Sequence, residues 1–143
     1  MKSLFFFTLL TIFSSVAFAQ SQTIPNDQIE FVNEFVDAVE SHNSKKVLKL
    51  LDKTYRKEQL GFLNGNKDQL VNELFGGVDQ TTDEYTYVNT VFSDILKIEV
   101  AEIIPLKEGG FNYIFRIRDS EHDILKSLLL VVKPKFGFVG SRG

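Results

Sequence analysis

The chain contains no cysteine and no tryptophan, only three prolines, two histidines and a single methionine among 143 residues. Each scarcity excludes something. Without cysteine there is no disulfide framework, no thiolate zinc site, no cysteine nucleophile and no lipid attachment through a cleavage-site cysteine, so stability must come from packing. Two histidines cannot build a His-rich metal centre. After the first twenty residues no apolar run approaches the roughly 20 residues that cross a bilayer; the best, Leu128 to Val132, is strand-sized. Aromatic residues make up 13% of the chain, with 14 phenylalanines, which excludes a disordered or low-complexity sequence. The formal net charge of −3 gives no general affinity for nucleic acid.

The first nineteen residues have the three parts of a secretory signal peptide. Lys2 supplies the positive start, Leu4 to Phe13 is apolar except for Thr8 and Thr11, and Ala17-Phe18-Ala19 is a small-x-small cleavage site. Cleavage between Ala19 and Gln20 is expected, leaving residues 20–143 as one exported domain, periplasmic or released and not integral to a membrane. Loss of Lys2 takes the formal charge to −4.

The remaining chain divides by hydrophobic period. Asn26 is the expected cap of a helix over Asp27 to Glu40, with Ile29, Phe31, Val32, Phe35, Val36, Ala38 and Val39 on one half of the wheel and five acids on the other. Ser44 can cap a second helix whose buried arc carries Val47, Leu48, Leu50, Leu51 and Tyr55. Lys45, Lys46, Lys49, Lys53, Arg56 and Lys57 gather opposite; such an arc is usually a solvated face, and the acids of the first helix could pair with its flank. Asn66 and Gln69 resemble a capping box for a third helix, ended by Gly76-Gly77, with residues 78–84 a polar loop. Strand periodicity follows: a short strand within Tyr85 to Phe92, partial alternation over Ile95 to Leu106 and a turn at Glu108-Gly109-Gly110. Phe111 to Arg118 alternates strictly, Asp119 to Asp123 is a hairpin loop, Leu125 to Val132 is apolar on both faces, and Phe136 to Val139 is a last strand. Three N-terminal helices on a curved, mostly antiparallel sheet, an α+β domain, is the expected architecture.

Phe31-Val32, Phe35-Val36-Asp37-Ala38-Val39, the break at Ser41-His42-Asn43, and Val47-Leu48 with Leu50-Leu51 resemble the opening of the nuclear transport factor two-like superfamily. The ending Lys135-Phe136-Gly137-Phe138-Val139 resembles the short terminal strand of those folds. The resemblance implies a cone-shaped, cystatin-like layout over residues 20–143, as in a small exported bacterial member of that superfamily. No active-site motif of the superfamily is matched residue by residue, so no catalytic residue is carried over.

Candidate chemistry is sparse. His122, between Glu121 and Asp123, could be an acid–base or metal-ligating group, but it reads more simply as part of an exposed turn, and His42 as part of a helix break. No metal and no cofactor are expected. Tyr113 shares a strand face with Phe111, Phe115 and Ile117, so a hydroxyl enters an apolar lining, and Phe35 and Tyr55 could face the same space. Phe35, Tyr55, Tyr113 and Phe115 are therefore the candidate ligand-binding residues; a filled core without a cavity is the alternative, and the balance is toward it. The main functional expectation is a non-catalytic exported module that binds a hydrophobic small molecule or a protein partner, with a homodimer through the sheet as one such partnership. An isomerase, dehydratase or cyclase using a carboxylate and a tyrosine is a second expectation, and a structural accessory module a third.

Overall fold

Pro25 stands in the N-cap position, just before the first helix. Its ring fixes φ at −58°, its ψ of 148° keeps it extended, and its carbonyl accepts from Ile29 N–H at 3.1 Å. The computed structural model describes residues 23–82 and 84–140. The expected signal segment and its cleavage point at Ala19 and Gln20 lie outside these residues. Helix α1 spans Asn26–Glu40, so Asn26 is its first residue rather than its cap, and no side chain caps this end. Its buried stripe is Gln28, Val32, Phe35, Ala38 and Val39, while Ile29 stays exposed. His42 takes a left-handed φ of 54° and closes the helix: its N–H donates to Val39 and that of Asn43 to Ala38, at 3.0 and 2.8 Å.

The second expected helix is two helices. Helix α2, Ser44–Leu50, is capped by Asn43, whose side chain accepts from Lys46 N–H at 3.0 Å, and not by Ser44. Leu51 then turns extended, with ψ 148°. Asp52 N–H donates to the Phe138 carbonyl at 2.8 Å, and its carboxylate accepts from Tyr55 N–H, opening α3 over Lys53–Phe62. Tertiary pairing interrupts a continuous helical pattern because the terminal strand needs a partner there. Gly137 permits it: a Cβ would lie 2.6 Å from Asp52 Cα. The basic arc is thereby divided between α2 and α3. Lys46 pairs with Glu34 at 3.3 Å, and Arg56 donates to the Leu48 carbonyl at 2.8 Å.

Helix α4, Lys67–Leu74, is capped by Asn66, which accepts from Gln69 N–H at 3.0 Å. The Gln69 side chain binds Glu73 instead of reaching back, so the capping box is one-sided. The glycines that follow are not left-handed terminators. They allow close approach: a Cβ on Gly76 would meet Asn89 and the Tyr87 hydroxyl, and one on Gly77 would meet the Leu125 carbonyl. Gly77–Asp79 is strand β1, where a polar loop is expected from the sequence, and the next strand is only Tyr87–Val88, β2.

The other strands are β3 (Lys97–Pro105), β4 (Phe111–Arg118), β5 (Asp123–Val131) and β6 (Gly137–Gly140). All pairings between these strands are antiparallel, in the order β2-β1-β5-β4-β3 with β6 also on β5; the isolated Leu51↔Phe138 bridge is parallel. Strand β5 is central. Strand β4 covers one of its edges from Phe111↔Leu130 to Arg118↔Asp123; the other edge is shared by β1, at Val78↔Leu125, and β6, at Leu129↔Val139. The sheet is open, and the helices pack on one face, making an α+β domain with helices first and most of the sheet after. Alternation sends Tyr113, Phe115 and Ile117 of β4 inward with Ile124, Leu128 and Leu130 of β5. Phe35 of α1 sits among them, its ring centroid 4.5 Å from Phe138, 5.6 Å from Phe115 and 6.2 Å from Phe75. The opposite face carries Asn112, Ile114, Arg116, Leu125, Ser127 and Leu129, all half-exposed.

Candidate functional site

The four residues expected to line a ligand pocket do not come together around one. Phe35 and Phe115 are fully buried and Tyr113 is 1% exposed. The Tyr113 ring lies 5.9 Å from Phe115 and 5.8 Å from Phe138, in aromatic packing that fills the space. Its hydroxyl accepts from Gln28 Nε2 at 2.7 Å, so the polar group is bound within the core, and burial raises its pKa above that of an ordinary phenol. Tyr55 is separate. It lies half-buried on α3 and lines a cavity that none of the other three touches.

That cavity, about 140 Å³, lies between α3, α4 and the sheet. Tyr55 and Gln59 come from α3, Leu70, Glu73 and Leu74 from α4, Lys126 from β5 and Gly140 from β6. Lys126 is the unusual member. The alternation of β5 puts it on the inner face between Ile124 and Leu128, both fully buried, and it is itself only 6% exposed. Burial pushes its amine below the ordinary lysine value, because the charged form has lost water. Among the described residues Lys126 forms no ion pair and no hydrogen bond. Every fully enclosed side-chain nitrogen or oxygen described does have a partner, so Nζ is not sealed in, and Lys126 lines the cavity. Glu73 lines the same space without closing on the amine; it is exposed, and its carboxylate accepts from Gln69 Nε2 at 2.8 Å.

The polar wall beside Lys126 depends on Gly140. A Cβ there would meet the Tyr55 hydroxyl and approach Leu74 Cδ1 to 3.3 Å, so glycine leaves the phenol its place. The sequence carries a signal for this site. Lys126 and Ser127 interrupt an otherwise apolar run, and Lys126 has the parity of Ile124, Leu128 and Leu130. A charge on the buried parity of a central strand marks a position that packing alone does not explain.

The histidines have structural surroundings. In the β4–β5 turn, Asp119 Oδ1 accepts from the backbone N–H groups of Glu121 and His122 at 2.8 and 2.6 Å, and its Oδ2 lies 3.0 Å from His122 Nδ1. The carboxylate both shapes the turn and raises the His122 pKa through that ring bond. Nearby, Arg116 grips Asp123 with two nitrogens, Nε at 2.8 Å from Oδ1 and Nη2 at 2.5 Å from Oδ2, which holds the Asp123 carboxyl below the usual range. His42 donates from Nε2 to the Ile95 carbonyl at 2.7 Å and sets its edge on Phe92. No group of three or more His, Asp or Glu side chains among the described residues is placed to hold a metal ion.

Larger cavities elsewhere are more open. An open groove of about 650 Å³ runs past the β3–β4 turn, between Pro105, Phe111 and Lys133. Two others, about 580 and 330 Å³, flank α4 and share Asp68, Asn72 and Val91. No described helix is long and apolar enough to cross a membrane. No protein-family model matches this chain, and no curated protein or solved structure matches it either.

Proposed function

We propose that the chain is an exported, non-catalytic binding module that takes a small molecule in the cavity beside Lys126. One observation carries the reading: a lysine buried to 6% exposure lines a cavity, and no described carboxylate is in ion-pair distance of it. A charged group removed from water is costly unless something compensates it, and a bound ligand is a ready compensation. The aromatic core is closely packed and its tyrosine already paired, which moves the reading from a hydrophobic ligand in the core to a small polar one at its edge. An acid–base enzyme is less well supported. The cavity has a phenol and a carboxylate, but Glu73 is exposed and held by Gln69, so it lacks the desolvation such a base draws on.

Export belongs to the same proposal and rests on Lys2, the apolar run to Phe13 and Ala17-Phe18-Ala19. Membership of the nuclear transport factor two-like superfamily also remains a proposal, supported by the helical hairpin motif and the order of helices before sheet. A homodimer through the sheet is a second partnership, favoured by the half-exposed row Ile114, Leu125, Leu129 and Val139 on the outer face; sedimentation at several concentrations tests it.

A thermal-shift screen tests the binding reading. Small polar compounds should raise the melting temperature of the wild type and leave Lys126→Met unchanged. Stabilisation by hydrophobic compounds alone, equal in both proteins, would overturn it. Intact mass of the exported protein should show the loss of residues 1–19; a full-length, membrane-anchored product would overturn the export reading.

A further inference from the structure

We infer that the ligand of the Lys126 cavity is a short-chain monocarboxylate, with its carboxylate on Lys126 Nζ and its alkyl end against Leu70 and Leu74. The inference rests on the binding reading above and adds the chemical class.

Charge comes first. Lys126 presents an ammonium with no carboxylate of the described residues in ion-pair distance, and an anion is the ligand that offsets its lost hydration most directly. Size comes next. The space of about 140 Å³ matches about five water molecules at about 30 Å³ each, which admits a ligand of about four to six heavy atoms. It is well below the roughly 300 Å³ at which pockets for larger organic ligands begin.

The walls then select among small anions. Leu70 and Leu74, each buried on α4, give an apolar surface that suits a methyl or ethyl group and does nothing for an inorganic oxyanion. Gln59 adds an amide, a group that hydrogen-bonds a carboxylate oxygen. Glu73 acts against a second negative charge, because two like charges within one small cavity repel. Sulfate, hydrogen phosphate and dicarboxylates are therefore disfavoured, and a single carboxylate with a short tail remains.

The test is a two-dimensional NMR titration of the purified protein with sodium acetate, with acetamide as its neutral analogue, and with malonate as a dianion. The wild type, Lys126→Met and Glu73→Gln are compared. Acetate should give saturable shifts at the amides of residues 55, 70, 74 and 126, with acetamide roughly tenfold or more weaker, as expected for loss of a charge-assisted bond. Lys126→Met should abolish the acetate response while retaining a folded spectrum, and Glu73→Gln should raise affinity for malonate. If acetamide binds as tightly as acetate, the carboxylate class is wrong and the cavity still stands as a small-molecule site. If no probe perturbs the cavity, or if acetate shifts are the same in Lys126→Met, both the class and the binding reading fall. Should Lys126→Met fail to fold, the Glu73→Gln result decides: unchanged malonate affinity overturns the inference.

Discussion

Gln28 on α1 donates from Nε2 to the hydroxyl of Tyr113 on β4 at 2.7 Å, and each residue is only 1% exposed. This bond joins the first helix to the sheet through two polar groups in an apolar core. Neither has an easy second partner, so each depends on the other. Gln28→Leu and Tyr113→Phe should each cost about 1–3 kcal/mol, since each leaves a buried polar group unmet. The double variant should lose less than the sum. Denaturation midpoints of the four proteins give the coupling, and strict additivity would mean that the bond contributes nothing beyond packing.

Phe35 is the aromatic hub of the core, with ring neighbours Phe75, Phe115 and Phe138. Phe35→Ala should destabilise the domain by about 3–5 kcal/mol, because the surrounding rings belong to three separate elements and cannot all collapse into the space. Urea denaturation followed by far-UV circular dichroism measures it. An unchanged midpoint would contradict this packing.

Lys126 makes stability depend on alkaline pH. Burial holds its folded-state pKa below the unfolded value of 10.5, so the native state releases this proton first. Below the folded pKa the cost of the buried charge is present in full. Stability should therefore rise with pH from the folded pKa up to about 10.5, where the unfolded chain binds more protons than the native one. Lys126→Met should stabilise the protein at neutral pH by about 1 kcal/mol or more and remove this rise. Midpoints for wild type and variant from about pH 7 to about pH 10 test both the sign and the window.

His122 works in the opposite direction. Its bond to Asp119 raises its pKa above the ordinary 6.5. The stability it contributes is fully present below that value and is lost as pH rises through the raised one. An NMR titration of the ring protons should show a midpoint above 6.5 in the wild type, and a lower one in Asp119→Asn. Identical midpoints would mean that the ring bond is not formed in solution.

The parts of this fold legible in the sequence are those decided by local period. The stripe of α1, the Asn66 cap, the left-handed turn at Gly109 and Gly110, and the strict alternation of β4 all follow from the spacing of side chains along the chain itself. The parts that were not legible depend on a partner distant in sequence. Leu51 and Asp52 leave the helix because Phe138 pairs with them, and Gly77 joins a strand because β5 has a free edge beside it. Nothing in the local pattern of residues 44–57 or 76–84 announces either event.

The candidate site divides the same way. The sequence by itself determined that Tyr113, Phe115 and Ile117 share one apolar face, because a strand has a period of two whatever packs on it. Only the tertiary structure decided that this face is filled, since closure depends on where Phe35, Phe138 and Gln28 arrive from other elements. The sequence put Lys126 on one parity with Ile124, Leu128 and Leu130, but the other parity is apolar too, so the structure decided that Lys126 faces inward. The cavity beside it exists because α3, α4 and β6 converge there without filling it, and volume left between elements is a property of their packing that no single segment encodes.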